Sequence, residues 1–169
     1  MSEENCEITL TVNGEILTKI VKVRQHLVDF LRLELGLTGS HLGCEHGICG
    51  ACSVRVDGSV VRGCLMLAVQ ADGTNVMTIE GLTETGEISD LQKHFVDRNA
   101  LQCGFCTPGM LMTLAELLRK SKPSSRAEIR EHISGNYCRC TGYHAIVDAV
   151  ETTINDRLGE NQRFHFTKR

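Results

Sequence analysis

The sequence has no tryptophan and only two prolines, and aromatic residues make up 4% of its 169 positions. A chain so poor in large rings builds a thin core, and thin cores are commonly reinforced by covalent or metal staples. Charge of one sign is lacking too. Lys and Arg number 18 against 21 Asp and Glu, a net charge of -3, and the interspersed signs give no footprint for nucleic acid. No run approaches the roughly 18 apolar residues of a membrane span. The opening Met1-Ser2-Glu3-Glu4-Asn5 is acidic and has neither the basic nor the apolar region of a secretory leader, so a cytoplasmic chain is expected. What is plentiful is cysteine, nine residues, and glycine, sixteen. In a chain without a leader, cysteines are read as metal ligands before disulfides. The odd count agrees: eight fall into two groups of four, and Cys6 is left over as a small thiol rather than a ligand.

The first group is Cys44, Cys49 and Cys52 in a Cys-x4-Cys-x2-Cys run, with Cys64 following. That is the spacing of plant-type [2Fe–2S] ferredoxins. Gly43, Gly47 and Gly50 let the backbone curl so that its N–H groups face a thiolate-bound centre. Zinc also accepts four thiolates, but its sites are usually two short-spaced pairs. His41 and His46 raise a Rieske-type centre, yet four cysteines are already present, so both are read as loop or surface residues.

The second group, Cys103, Cys106, Cys138 and Cys140, is a Cys-x2-Cys pair and a distant Cys-x-Cys pair. By itself this pattern leaves zinc open as a competitor. Thr107-Pro108 reads as a helix start, and an apolar periodic run follows Thr141-Gly142. Each pair is therefore expected just before a helix N-terminus, where the positive dipole end favours an anionic centre.

Around these groups, residues 7–12 and 15–23 alternate as strands across Asn13-Gly14, and 53–56 and 59–62 do so across Asp57-Gly58. Residues 75–79 give a fifth strand, and Leu27 to Leu35 a helix. Gly81 to Ser89 reads as a polar linker. Four helices are then expected: Leu91 to Asn99, a Met110–Leu118 stripe stopping before Ser121-Lys122-Pro123, a third capped by Ser124 or Ser125 and running to His132, and a fourth marked by Ala145 to Ile154. Residues 157–169, with Phe164 and Phe166, read as a polar tail, either frayed or docking as an arm on a partner subunit.

The two groups together, with Gln102-Cys103-Gly104-Phe105-Cys106-Thr107-Pro108-Gly109 and Asn136-Tyr137-Cys138-Arg139-Cys140-Thr141-Gly142-Tyr143, resemble one family. The chain is similar, from about Ile8 to Ile154, to the small iron–sulfur subunits of the xanthine oxidase family of molybdenum hydroxylases. The resemblance implies an α+β protein with a plant-ferredoxin-like (β-grasp) domain over residues 1–82 and an all-α four-helix domain over 83–169. It implies two [2Fe–2S] clusters: one on Cys44, Cys49, Cys52 and Cys64 nearer a flavin, and a buried one on Cys103, Cys106, Cys138 and Cys140 nearer molybdenum. Gln102 and Cys140 would contact the pterin. Molybdenum–pterin and FAD would sit on a large and a medium partner subunit, in a dimer of heterotrimers. The expected role is electron transfer, since the chain carries no dinucleotide loop and no nucleophile–base pair. The wording Gly-Cys-Glu-His-Gly-Ile-Cys-Gly is closest to enzymes that hydroxylate N-heteroaromatic rings; purine, aldehyde, carbon monoxide and aromatic acyl-CoA enzymes are alternatives, as are a free-standing ferredoxin-like carrier and a zinc-structured interaction module.

Overall fold

The computed structural model describes residues 4–120 and 124–166, the side chains of 160–166 excepted. The acidic start at Met1–Glu3, the helix stop at Ser121–Pro123 and the side chains of Phe164 and Phe166 lie outside the described residues.

Strand β1 (Asn5–Val12) turns back as β2 (Glu15–Lys22). Asn13 and Gly14 both take positive φ, 51° and 90°, the two-residue turn whose twist matches its flanking strands. Strands β3 (Ser53–Val56) and β4 (Ser59–Arg62) repeat the device, with Asp57 at 46° and Gly58 at 86°. The last strand, β5 (Asn75–Met77), lies parallel to β1 and antiparallel to β3. One mixed sheet results, in the order β2-β1-β5-β3-β4. Ile8, Leu10, Val12, Val54 and Val76 point from it onto Leu27, Phe30 and Leu31.

Those last three belong to α1 (Leu27–Asp29) and the π-helical turn Phe30–Glu34 that continues it. The wider turn replaces the regular helix expected over Leu27–Leu35; Leu35 N–H reaches back to the Phe30 carbonyl at 3.3 Å. It also sets the exit of the chain. Arg32 donates to the carbonyls of Thr38 and Ser40 at 2.6 and 2.7 Å, fixing the start of the cysteine-bearing loop.

Among the described residues five helical segments follow β5: α2 (Ile79–Glu84), which was not expected, and the four that were, α3 (Ser89–Asp97), α4 (Thr107–Arg119), α5 (Arg126–His132) and α6 (His144–Phe166). Helix α2 takes up the first part of the expected linker, from Gly81 to Glu84. Its Ile79, Gly81 and Leu82 are buried, so packing holds a segment whose polar composition hides a single apolar turn. Helix α5 starts at Ser125 with a capping box to Glu128. Helix α6 runs on through residues 157–166 of the expected tail, and 167–169 lie outside the described residues. Arg157, three residues past its apolar stripe, pairs with Asp90 of α3 at 2.6 and 2.7 Å and donates to the Glu87 carbonyl at 2.8 Å. Leu91, Phe95, Met110, Leu114, Ile129, Ile146 and Val150 form a second apolar cluster between these helices.

Candidate metal centres

The loop before β3 is folded so that its N–H groups converge on sulfur. Glu45, Gly47 and Gly50 take positive φ, at 56°, 75° and 75°. With that curl, the N–H groups of His46 and Cys49 point at Cys44 Sγ, 3.4 and 3.3 Å away. The Cys49 N–H, then that of His46, pulls the Cys44 thiol down to about 6. Cys52 and Cys64 are buried beside Val28 and Leu42, and burial pushes Cys52 up to about 12. Backbone bonds tie this pair to the fold: Gly63 N–H to Cys52 O and Val28 N–H to Gly63 O, both 3.1 Å.

The second set forms where α4 and α6 begin. Cys106 is the residue before α4, and a proline stands in that helix's first turn. Burial pushes Cys106 up to about 12. Burial also works against ionisation of Cys138, but the Thr141 hydroxyl and N–H, 3.1 and 3.4 Å from its sulfur, hold it below the usual thiol value. Cys103 and Cys140 place their sulfurs 3.6 Å apart at the surface. In this chain alone the second set is therefore half-buried and half-open. Gln102, also exposed, donates from Nε2 to the Cys140 carbonyl at 3.0 Å, so the two residues expected to face a pterin are brought together.

The donor sets fit [2Fe–2S] clusters. All nine cysteines are free thiols. The sulfurs approach in pairs: Cys44 with Cys49, Cys52 with Cys64, Cys103 with Cys140, and Cys106 with Cys138. Two thiolates on one tetrahedral metal at about 2.3 Å stand about 3.8 Å apart, close to the Cys103–Cys140 separation. Among the described residues, no three His, Cys, Asp or Glu side chains converge as on a single ion. Pairwise approach suits two irons bridged by sulfide better than one zinc.

The two loops are also packed on each other. Tyr137 N–H donates to the Cys49 carbonyl at 2.8 Å. Asn136, 1% exposed, donates to the Gly50 carbonyl at 3.1 Å and accepts from the Thr113 hydroxyl at 2.9 Å. Arg62 donates to the Gly135 carbonyl at 2.7 Å. A Cβ on Gly109 would stand 2.1 Å from Gly50 O, so only glycine lets α4 start this close to the first loop. His41 lies in the loop as expected, and is held there: its Nδ1 donates to Phe105 O at 2.8 Å, and its ring stacks on Phe105 at 4.7 Å. His46 bonds back to the Cys44 carbonyl. Asn136, Thr141 and Tyr143 stand in the motif that carries the resemblance, and Thr141 beside an expected helix start, but nothing in the sequence tied them, or Arg62, to the cysteine loops.

Cys6 is exposed on β1. Replacing Cys6 with alanine is expected to leave the iron content of the purified protein unchanged; loss of iron would place that thiol at a centre.

Residues 78–151 match the family described as "[2Fe-2S] binding domain", and residues 3–102 match that described as "2Fe-2S iron-sulfur cluster binding domain". The chain is 53% identical over 148 residues to the gamma subunit of caffeine dehydrogenase from Pseudomonas sp. (strain CBB1), covering 86% of this chain and 89% of that one. It is 50% identical over 147 residues to the small subunit of nicotine 6-hydroxylase from Paenarthrobacter nicotinovorans, covering 87% and 88%. Among solved structures, quinoline 2-oxidoreductase from Pseudomonas putida 86 superposes with a TM-score of 0.85 at 45% identity, over 94% of this chain and 97% of the matched one.

Proposed function

This chain belongs to the small iron–sulfur subunits of the xanthine oxidase family of molybdenum hydroxylases, and from that premise we propose that it conducts electrons between two partner subunits during hydroxylation of an N-heteroaromatic ring. The clusters supply one-electron transfer between a molybdenum–pterin centre on a large subunit and FAD on a medium one. In this reading Cys44, Cys49, Cys52 and Cys64 hold the cluster nearer the flavin. Cys103, Cys106, Cys138 and Cys140 hold the other, and Gln102 and Cys140 face the pterin. Residues 1–82 act as a plant-ferredoxin-like, β-grasp domain and 83–169 as a helical one, assembled in the cytoplasm as a dimer of heterotrimers. No helix among the described residues is long and apolar enough to cross a membrane.

The observation that carries the reading is the joint between the loops. Tyr137 N–H on Cys49 O joins a neighbour of one cysteine set directly to a member of the other. A chain needing only two structural metals has no reason to press its metal loops together. One needing rapid transfer between centres does. The open rim of Gln102, Cys103 and Cys140 fits a partner that covers it. Polar N–H donors tune such centres and water exposure shifts them, so an exposed rim would be sealed in the working assembly. The ring substrate is supported by the relatives named for caffeine, nicotine and quinoline.

The test is anaerobic reduction of the purified assembly, followed by EPR. A nitrogen-containing aromatic ring is expected to raise two [2Fe–2S] signals of different relaxation in the absence of any external acceptor. Signals raised by dithionite but by no ring compound, aldehyde or purine would contradict the conduction route. Signals raised by an aldehyde and by no nitrogen-containing ring would keep the route and overturn the substrate class.

A further inference from the structure

Tyr143 holds φ at +69°, a left-handed conformation that bulky side chains rarely adopt and that persists only where the surroundings enforce it. The enforcing contacts end on the cysteine loop. The Tyr143 hydroxyl accepts the Cys138 N–H at 2.8 Å and donates to the Asn136 carbonyl at 3.3 Å. Its ring packs against the helical core. Its own N–H meets Thr141 Oγ1 at 3.3 Å, and that hydroxyl donates onward to Cys138 Sγ at 3.1 Å, alongside the Thr141 N–H at 3.4 Å. Two neighbours thus treat one cysteine in opposite ways. Thr141 places two donors on its sulfur. Tyr143 draws its backbone N–H away to an oxygen.

We propose that Thr141 and Tyr143 are opposing positioning residues that set the reduction potential of the second iron–sulfur centre through Cys138. The proposal rests on the reading that Cys138 binds that centre. Reduction adds one electron and makes or breaks no bond to Cys138; reoxidation passes the same electron to the assembly's own acceptor. A donor on a ligand sulfur stabilises the added negative charge and raises the potential. Removing the Thr141 hydroxyl takes away such a donor. Removing the Tyr143 hydroxyl releases an N–H in a loop whose remaining acceptors include the sulfurs. The two changes therefore push in opposite directions.

The experiment is an EPR-monitored redox titration of the whole assembly carrying Thr141→Val or Tyr143→Phe, with iron and sulfide counted on each sample. The midpoint of the second centre is expected to fall in Thr141→Val and to rise in Tyr143→Phe, with that of the first centre in place. Shifts of the same sign would overturn the proposal, because a loosened loop admitting water acts that way whichever residue is changed. Unmoved midpoints would overturn it too. Loss of the second centre from either variant would make that residue structural and end the proposal. Failure of the underlying reading looks different: the unaltered assembly would itself lack two iron–sulfur signals.

Discussion

Replacing Cys140 with serine is expected to abolish substrate-driven turnover, by more than about a hundredfold, while the first iron–sulfur centre keeps its spectrum. Cys140 stands at the exposed end of the second set, its sulfur 3.6 Å from Cys103 and its carbonyl held by Gln102. A hydroxyl at that position is a harder, poorer ligand for iron. The change also touches the surface proposed to meet the pterin. Among the described residues no hydrogen bond joins Cys44, Cys49, Cys52 or Cys64 to residue 140, and Cys44 takes its donors from its own loop. The measurement is turnover with a ring substrate, paired with EPR after dithionite. Turnover near the unaltered level would contradict the assignment of Cys140 to the route.

Replacing Asn136 with alanine is expected to be the most damaging change to stability outside the ligands. The side chain is buried, and both ends are used: Nδ2 on the Gly50 carbonyl and Oδ1 under the Thr113 hydroxyl. Truncation strands the Thr113 hydroxyl, which is itself buried, and leaves a void. A stranded polar group and a small cavity together cost about 2–4 kcal/mol. At about 2–4 °C per kcal/mol for a chain of this size, a melting point lower by roughly 5–15 °C follows. The two loops should also shift relative to each other, altering the spin coupling between centres in the fully reduced protein. Thr113→Val in the same background should cost much less than it does alone, because the two side chains share one bond. A melting point within about 1 °C of the unaltered protein would show that the joint does not depend on Asn136.

The parts of this fold readable in the sequence were those written in neighbouring residues. Asn13-Gly14 and Asp57-Gly58 mark two hairpins because their turn demands positive φ at both positions. The cysteine spacing marks two candidate sets because close spacing brings several thiols into one loop, while the pairing of sulfurs across each set is set by the fold. Segments held by distant contacts were not readable. Helix α2 spans only Ile79–Glu84, too short for a helical period to emerge. The end of α6 is polar, and its tether, Arg157 to Asp90, lies between residues far apart in the chain. The same limit applies at the site. Asn136 reaches Gly50 across 86 positions, and the His41–Phe105 stack across 64. No local pattern foretells such contacts, so candidate ligands could be proposed from spacing while the residues that seat their loops could not.

On this reading eight thiols are divided equally between two iron–sulfur centres. Iron, acid-labile sulfide and zinc counted on the anaerobically purified chain test it most directly. About four iron and four sulfide per chain, with no stoichiometric zinc, are expected. About two zinc and no sulfide, or a colourless protein that takes up neither iron nor sulfide on reconstitution, would contradict it.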